Sequence, residues 1–291
     1  MNDKTVTELI QLARHAVAAG ERDRAAVCLR AAIELEPANL EAHNFREQEK
    51  LADFMSGWTG VNAIISRDDD IYRFFATHPT SLNPVRDYLA DGWRTLSELM
   101  WLLEMHDLPL SKVRSFLEFA SGFGRFTRHL VKRLPANALC VSEVVPAAMD
   151  FLPGHFPVQA VPSTKLPEDL VLPRQFEVVF VLSLFSHLPA STWSRWLSRL
   201  WQATAPGGLL IFSTHGADCA DRQKVKLDAD GFAFFHGSES TALDQAEYGV
   251  TYTSEQFVLS AARAHAPGAV HTFMPDHFWS QQDAHILRRP G

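Results

Sequence analysis

The stretch that decides the fold is Ser115-Phe-Leu-Glu118-Phe-Ala120-Ser121-Gly122-Phe-Gly124-Arg-Phe-Thr127. An apolar run leads into a turn with two glycines, and a helical pattern follows it. Gly122 and Gly124 permit a tight turn and let a ligand approach the backbone, while the helix start offers free N–H donors. A plain strand-to-helix turn gives the same pattern, so the residues around it must decide its meaning.

Short apolar runs alternate with helical segments around this stretch. The predicted strands are Arg114–Ala120, Ala138–Ser142, Val158–Val161, Glu177–Ser183 and Leu209–Thr214, and the predicted helices between them are Gly124–Leu134, Pro146–Phe151 and Thr192–Thr204. A helix at Ser254–His265 and two strands, Ala269–Pro275 and Asp283–Arg289, end the chain. Such alternation implies parallel strands joined by helices that cover both faces. We predict a doubly wound α/β fold.

The first 112 residues are predicted to be an N-terminal helical extension. Residues 1–50 are predicted to form two helices that are rich in small residues and are separated by Gly20. They resemble a single tetratricopeptide repeat. An ordinary helical hairpin, docked on the main domain or on a second subunit, is the favoured interpretation. Residues 51–112 are a helical cap or linker, with a core-facing helix at Val85–Met105, and residues 113–291 hold the sheet with an insertion at 215–252.

Composition excludes several classes of protein. The chain has 27 Lys and Arg against 34 Asp and Glu, a net charge of −7, which argues against nucleic acid as a partner. Its apolar runs fall short of the ~20 residues of a membrane span, and the N-terminus lacks the pattern of a signal peptide. Cys28, Cys140 and Cys219 form no CxxC pair, and the C-terminal histidines lack ligand spacing. We expect a soluble cytoplasmic protein without a metal site.

Two acidic residues indicate the type of cofactor. Glu143 ends the second predicted strand, nineteen residues after Gly124, where a carboxylate can accept hydrogens from two ribose hydroxyls. A dinucleotide site usually needs a third glycine, where this chain has Thr127. Glu118 at the end of the first strand suits a cofactor that carries a cation. A sulfonium cofactor with an amino-acid tail meets this description, and a nicotinamide dinucleotide is the alternative.

Together these segments resemble class I S-adenosylmethionine-dependent methyltransferases. Residues 118–124 resemble the first motif, with Ala120 where a glycine is more usual. Residues 176–189 resemble the fourth strand and its loop, and residues 200–215, with Pro206-Gly207-Gly208, resemble the next helix, turn and strand. The resemblance covers about a third of the chain. It implies a Rossmann-like seven-stranded sheet whose last strand is antiparallel, and S-adenosyl-L-methionine as cofactor.

The resemblance also implies which residues bind this cofactor. They are Glu118, Ala120, Ser121, Gly122 and Gly124 in the first motif, Glu143 and Val144 after the second strand, and Ser183, Leu184 and Phe185 after the fourth. After the third strand the family often has an aspartate for the adenine amino group. This chain has Ser163 there, so either Ser163 or backbone groups alone hold the adenine.

Methyl transfer needs positioned reactants and, for a hydroxyl acceptor, removal of a proton. His187 after the fourth strand and His215 at the end of the fifth are the candidate general bases, although each can equally have a packing role. Ser183-Leu-Phe-Ser186 stands where amino-group methyltransferases of nucleobases or glutamine often carry Asn-Pro-Pro-aromatic. That class of acceptor is disfavoured.

Two aromatic-rich segments are candidate walls of the acceptor site. They are Ile71–Phe75 and the insertion His215–Tyr252, whose aromatic residues are Phe232, Phe234, Phe235, Tyr248 and Tyr252. An ordered lid is the favoured interpretation of the insertion. The alternative is an extra hairpin, in which residues 231–236 pair with 249–253 around a small core of their own.

The sequence therefore predicts O-methylation of a small-molecule hydroxyl, on a sugar or a secondary metabolite. One alternative is a nicotinamide-dependent oxidoreductase, which Thr127 and the lack of a Tyr-x3-Lys pair disfavour. Another is an inactive cofactor-binding scaffold that uses the N-terminal helices for protein interaction. The same helices are a candidate surface for homo-oligomers.

Overall fold

A computed structural model describes residues 4–238, 240 and 243–291. The chain divides into two compact units between Gly92 and Trp93. The domain boundaries predicted from the sequence, with segments 1–50, 51–112 and 113–291, stay a prediction. The division lies inside a long helix because Leu96, Leu99 and Leu103, in the second half of that helix, pack into the core of the sheet unit.

The N-terminal unit is helical. Its helices are α1 (Val6–Ala18), α2 (Arg22–Leu35), α3 (Leu40–Gln48), α4 (Met55–Thr59) and α5 (Asp70–Thr77), and α6 (Pro84–Met105) runs from this unit into the next. Thr5 starts α1 with a capping box in which its hydroxyl accepts from the Glu8 N–H and Glu8 accepts from the Thr5 N–H. Small buried residues such as Ala13 and Ala32 let α1 and α2 approach closely, and Phe45 of α3 joins their core.

The described residues of the sheet unit form nine strands. They are β1 (Phe116–Phe119), β2 (Leu139–Glu143), β3 (Gln159–Pro162), β4 (Phe176–Val181), β5 (Thr204–Thr214), β6 (Phe232–Phe235), β7 (Val250–Thr253), β8 (Val270–Phe278) and β9 (Gln282–Arg288). Seven of them form one sheet in the order β3-β2-β1-β4-β5-β9-β8. The first five are parallel, and β9 is antiparallel to both β5 and β8. The predicted Rossmann-like sheet with an antiparallel last strand is confirmed.

The helices of this unit differ in length from the sequence prediction. They are α7 (Thr127–Leu130), α8 (Pro146–His155), α9 (Ala190–Ala203), α10 (Ala217–Arg222) and α11 (Glu255–His265). The prediction of a helix over Gly124–Leu134 is wrong in extent, because Gly124 has a φ of +80° and the helix begins only after Phe126. The prediction for Thr192–Thr204 also ends too late. Thr204 already pairs with β4, and a register shift before Leu209 accommodates the Pro-Gly-Gly turn.

Each face of the sheet is covered by a separate apolar cluster. On one face Phe185, Trp193 and Phe212 pack with residues of α9 and α11. On the other, Phe116, Phe126 and Phe180 pack with residues of α6 and α7. Among the described helices, none combines the length and the apolar character that a membrane span requires. Because β1, β2, β4 and β5 are parallel neighbours, their carboxyl ends lie together at one edge of the sheet.

The insertion after β5 contains a hairpin. β6 pairs with β7 in antiparallel register from Phe232–Thr253 to Phe235–Val250 and forms a second, two-stranded sheet. This pairing is the one that the alternative interpretation predicted. Phe232 and Phe234 do not form a core of their own, however, because both pack against the core that contains Trp193. Residues 239, 241 and 242 of the insertion lie outside the described residues.

Candidate active site at the carboxyl edge of the sheet

The turn after β1 has a left-handed backbone at three positions. The φ angles are +59° at Ala120, +54° at Gly122 and +80° at Gly124. A Cβ atom on Gly124 would lie 2.6 Å from the Phe156 ring, so this glycine is needed for packing. A Cβ atom on Gly122 would meet no atom within 4 Å. Gly122 therefore leaves an open cradle at the edge of the sheet, and a side chain there would fill it.

Glu143 is tied to the same turn. Its carboxylate accepts hydrogen bonds from the backbone N–H groups of Gly122 (2.8 Å), Val144 (2.7 Å) and Val145 (3.1 Å). The side chain is buried, and burial raises its pKa, although the three N–H donors oppose this. Val144 takes part through its backbone. The turn and the acidic residue that the sequence placed in one site are thus in direct contact.

Glu118 forms a second buried carboxyl group beside this one. It accepts a hydrogen bond from the Thr127 hydroxyl at 2.7 Å. Burial raises the pKa of Glu118 to about 8, the hydrogen bond from Thr127 opposes the rise, and the charge of Glu143 adds to it. A bound cation would offset the free-energy cost of ionising these buried carboxyl groups, so Glu118 and Glu143 suit a ligand that has a positive group and hydroxyls.

Two serines adjoin Glu143. The Ser163 N–H donates to the Glu143 carbonyl at 2.8 Å, which fixes the chain directly after β3. The Ser121 N–H donates to the Ser142 carbonyl at 3.2 Å, and the Ser121 side chain is buried. Both residues therefore lie at the site, and the half-buried Ser163 is the one of the two that is open to a ligand.

Three residues of the loop after β4, Ser183, Leu184 and Phe185, were predicted to bind the cofactor, but they lie in different surroundings. Ser183 has a φ of +61°, and its N–H donates to the Ser213 hydroxyl at 2.7 Å. Ser183 and Leu184 are half-buried at the edge of the sheet. Phe185 is fully buried against Trp193 and Phe212, with ring centroids 4.8 and 4.6 Å away. The Phe185 side chain is consequently part of the core and not of a cofactor surface.

The two candidate histidines fasten the insertion to the sheet. Nδ1 of His187 lies 2.6 Å from the Gly249 carbonyl, and the Gly249 N–H donates to the His187 carbonyl at 2.9 Å. Nδ1 of His215 lies 3.2 Å from the Thr251 carbonyl. A carbonyl only accepts, so each Nδ1 carries a hydrogen. The Tyr248 ring stacks on His187 with centroids 4.4 Å apart.

His215 is neutral at physiological pH. Burial lowers its pKa to about 4, and the neighbouring His187 lowers it further, while the bond to Thr251 opposes both. Its ring lies 6.1 Å from the His187 ring and 5.3 Å from the Tyr252 ring. Nε2, the unprotonated nitrogen, faces the side chain of Gln282 at 3.3 Å. The edge of the sheet thus presents a hydrogen-bond acceptor beside aromatic rings.

Three functional candidates were missed by sequence reasoning. Gln282 and Ser213 connect the loops after β4 and β5, and no motif indicates them. Arg128 is fully buried, and its Nε donates to the Gly124 carbonyl at 3.0 Å. The only signal for Arg128 is its place one turn after the glycines, where a buried arginine needs backbone acceptors.

The part of the chain that the structure describes has no cluster of metal-ligating side chains. In residues 4–238, 240 and 243–291, no three His, Cys, Asp or Glu side chains lie close enough together to hold a metal ion. The C-terminal histidines have other partners. His285 is buried, and its two ring nitrogens contact His271 and Thr214 at 3.1 Å each.

Comparisons with known proteins agree with this fold. Residues 117–210 match the family described as "Methyltransferase domain". No curated protein is significantly similar to the chain in sequence. An S-adenosylmethionine-dependent methyltransferase from Clostridium acetobutylicum has a similar solved structure, with a TM-score of 0.50 and 10% identity over 69% of this chain and 92% of that chain.

Two further solved structures are similar at lower scores. One is an amino pentose methyltransferase from Micromonospora echinaspora, with a TM-score of 0.48 and 13% identity over 66% of this chain and 89% of that chain. The other is a sugar N-methyltransferase from a Streptoalloteichus species, with a TM-score of 0.45 and 17% identity over 62% and 81%. At these identities the likeness concerns the fold alone.

Proposed function

We propose that the protein is an S-adenosylmethionine-dependent methyltransferase that methylates a hydroxyl group of a small molecule, since residues 117–210 of the sheet unit match a methyltransferase domain. One observation carries the proposal. The open cradle at Gly122 and the buried carboxylate of Glu143 are joined by a 2.8 Å hydrogen bond at the carboxyl edge of the sheet. Ligands of doubly wound sheets bind at this edge.

The residues of the first two loops have separate roles in this proposal. Gly122 lets the ligand approach the backbone, and Glu143 accepts from the ribose hydroxyls. Glu118 compensates the positive charge of the amino-acid tail, and Ser163 lies where the adenine is expected. S-adenosylmethionine supplies the methyl group when it is bound and leaves as S-adenosylhomocysteine.

The acceptor side is assigned to the loops after β4 and β5. His215 takes the proton of the acceptor hydroxyl at Nε2, where that hydroxyl replaces the Gln282 side-chain nitrogen, because Nδ1 already donates to Thr251. The stacked pair of His187 and Tyr248 forms an aromatic wall for an apolar or sugar-like face. The rings of His187 and Tyr252 and the amide of Gln282 lie against His215, and all three are uncharged groups. An uncharged hydroxyl fits these surroundings better than an ammonium group does.

Calorimetry with S-adenosylhomocysteine tests the cofactor site. Glu143→Ala should weaken binding by about tenfold to a hundredfold, because a charge-assisted hydrogen bond contributes ~1.5–3 kcal/mol. Glu177→Ala is the matched control. Glu177 also accepts from two backbone N–H groups, those of Arg114 (2.6 Å) and Ser115 (3.2 Å), but at the amino end of β4. Equal affinities for both variants would refute the assignment of the site.

Two further measurements separate the alternatives. Titration with reduced nicotinamide cofactors should show no binding, and tight binding there would favour an oxidoreductase. A panel of sugar and aromatic hydroxyl acceptors should then show turnover. Tight binding of S-adenosylhomocysteine without turnover on any acceptor would favour the scaffold, with the N-terminal helices as its working surface.

A further inference from the structure

The second half of α6, residues 93–105, has two faces of opposite character. The inner face carries Leu96, Leu99, Leu102 and Leu103, which pack into the core of the sheet unit. The outer face carries residues spaced by four positions, namely Trp93, Ser97, Trp101 and Met105. Trp101 is 58% exposed, and Trp93 and Met105 are about half exposed. Exposed apolar residues that share one face of a helix mark an interaction surface more often than isolated ones do.

Trp101 is held in a fixed orientation by its own chain. Its ring stacks on the His277 ring, with centroids 6.0 Å apart and 22° between the planes. Nε2 of His277 lies 3.0 Å from the Glu98 carbonyl, so the imidazole is itself fixed to α6. An ordered side chain loses less conformational entropy when a partner covers it, and tryptophan is enriched among the residues that dominate the binding energy of interfaces. The outer face of α6 is therefore suited to bind without rearrangement.

The spacing of this face fits a second copy of the same helix in antiparallel orientation. If a two-fold axis passes outward from α6 at the level of Leu99, which is fully buried on the opposite side, residues equally far before and after position 99 face each other across it. Trp101 then meets the partner's Ser97, so a large side chain lies against a small one. Trp93 meets the partner's Met105, whose thioether adapts to an aromatic ring. Each contact occurs twice, because a two-fold interface repeats every pair.

The charges on this face select the same orientation. In the antiparallel arrangement Arg94 faces the partner's Glu104, because the two residues are equally far from position 99. Glu104 is exposed and forms no ion pair with any residue that the structure describes. Arg94 is held in place, since its guanidinium donates to the Glu98 carboxylate at 2.7 Å and to the Ser280 hydroxyl at 2.9 Å. A parallel arrangement would place Glu104 against the partner's Glu104, and such a contact between like charges is unfavourable.

We propose that residues 93–105 of α6 bind a second copy of the chain and form an antiparallel, two-fold symmetric dimer. This inference does not depend on the proposed function, and it concerns a different surface from the N-terminal helices. The exposed parts of Trp93 and Trp101 together amount to about one tryptophan side chain, or ~150–250 Å² per copy. A standard interface buries about 800 Å² per partner. Even with the flanking residues the contact is small, so the dimer should be reversible, with a Kd in the micromolar range.

Sedimentation velocity of the full-length protein, from about 1 to 100 μM, tests the proposal. The parent should change from monomer to dimer over this range. Trp101→Glu should raise the Kd of the dimer at least about a hundredfold, because a central anchor is lost twice and a charge takes its place. Ser97→Arg should do the same, because it fills the space opposite the partner's Trp101. Trp58→Glu is the matched control, since Trp58 is 82% exposed on α4, outside the proposed face.

An exchange of charges then tests which residues face each other. Arg94→Glu and Glu104→Arg should each raise the Kd about three- to thirtyfold, because two exposed ion pairs per dimer become repulsive, and the double variant should restore the Kd of the parent. A double variant no tighter than either single variant would overturn the antiparallel pairing. A parent that stays monomeric at the highest concentration would overturn the proposal, as would unchanged Kd values for Trp101→Glu and Ser97→Arg with native circular dichroism. Leu35→Glu, at an exposed position of α2, should have no effect. Loss of the dimer in that variant, with a normal dimer in Trp101→Glu, would assign self-association to the N-terminal helices instead.

Discussion

Gly122 and Gly124 lie two positions apart and serve different purposes. Both have a left-handed backbone, but a side chain at Gly124 would collide with Phe156, whereas one at Gly122 would enter open space. Gly124 must therefore lack a side chain for the protein to fold, whereas the open space at Gly122 concerns binding of the ligand. A substitution at Gly122 therefore separates the two contributions.

We expect Gly122→Ala to lose affinity for S-adenosylhomocysteine at a small cost in stability. The left-handed φ costs a non-glycine residue roughly 1–2 kcal/mol, and the added methyl group occupies the cradle. Gly207→Ala is the control, because Gly207 has a φ of +76°, has no atom within 4 Å of its added Cβ, and lies in the turn of β5 at the opposite edge. Denaturant unfolding should show similar losses of stability for both variants. Calorimetry should show weaker binding for Gly122→Ala alone, and unaltered affinity would place the ligand elsewhere.

Glu118 makes the stability depend on pH between about 4.5 and 8. Its folded-state pKa is raised from 4.5 to about 8, so the folded protein keeps a proton that the unfolded chain releases. The contribution of Glu118 is present at low pH and falls as the pH rises from 4.5 towards 8. In Glu118→Gln, the slope of the unfolding free energy against pH should therefore become smaller by up to about 1.4 kcal/mol per pH unit. Urea unfolding at pH 6.5 and pH 8 measures the change, and identical slopes in parent and variant would show that Glu118 is ionised in the folded state.

At the scale of elements, the returning strand of the insertion is anchored to the loop after β4. The Gly249 and Thr251 N–H groups donate to the carbonyls of His187 (2.9 Å) and Ser186 (2.7 Å), and the Thr251 hydroxyl donates to the Leu188 carbonyl at 2.6 Å. The amides of Gly249 and Thr251 should resist hydrogen exchange without any ligand. This part of the insertion is therefore a fixed wall. The lid proposed for His215–Tyr252 stays a prediction.

Tyr248 is the residue of this wall that we expect to contact the acceptor. Tyr248→Ala should raise the acceptor KM about three- to tenfold, since an aromatic pair contributes ≈ 0.5–1.5 kcal/mol beyond its buried area. The affinity for S-adenosylhomocysteine should not change. Phe235→Ala serves as a control, because Phe235 is 48% exposed on the neighbouring strand. Equal KM values for parent and Tyr248→Ala would move the search for the acceptor site towards Ile71–Phe75, where Tyr72 is buried and Phe74 is 50% exposed.

At the scale of the whole molecule, the chain consists of two units with separate cores. The helices α1 to α3 share one cluster of buried residues, and the sheet unit has its own clusters on the two faces. The binding residues proposed above all belong to the sheet unit. Self-association through the N-terminal helices stays a prediction, which sedimentation of the full chain measures.

Ligand binding should therefore stabilise one unit selectively. S-adenosylhomocysteine at a hundred times its Kd should add ≈ 2.7 kcal/mol to the unfolding free energy of the unit that binds it. In thermal unfolding followed by calorimetry, the transition of the sheet unit should move to higher temperature, and any separate transition of the helical unit should stay in place. A shift of both transitions would show that the two units unfold together. A reduced nicotinamide cofactor should shift neither.

The sequence alone determined the parts of the fold that depend on local patterns. The alternation of apolar runs and helical segments predicted a doubly wound α/β fold with parallel strands, and the glycine turn followed by Glu143 predicted the cofactor edge. These signals are readable because a strand end, a turn and the next strand are close in the chain. The left-handed backbone of a two-glycine turn also requires glycine, which few other positions in the chain need.

The tertiary structure alone brings together the residues of the proposed acceptor side. Gln282 contacts Ser183 across 99 positions of the chain and His215 across 67, and Ser213 joins them from another strand. Phe185 belongs to the core although its neighbours line the edge, and α7 is shorter than its pattern predicted. The physical reason is the same in each case. Burial, the direction of a side chain and the tautomer of a histidine are set by partners that fold in from distant segments, and no local periodicity encodes such partners.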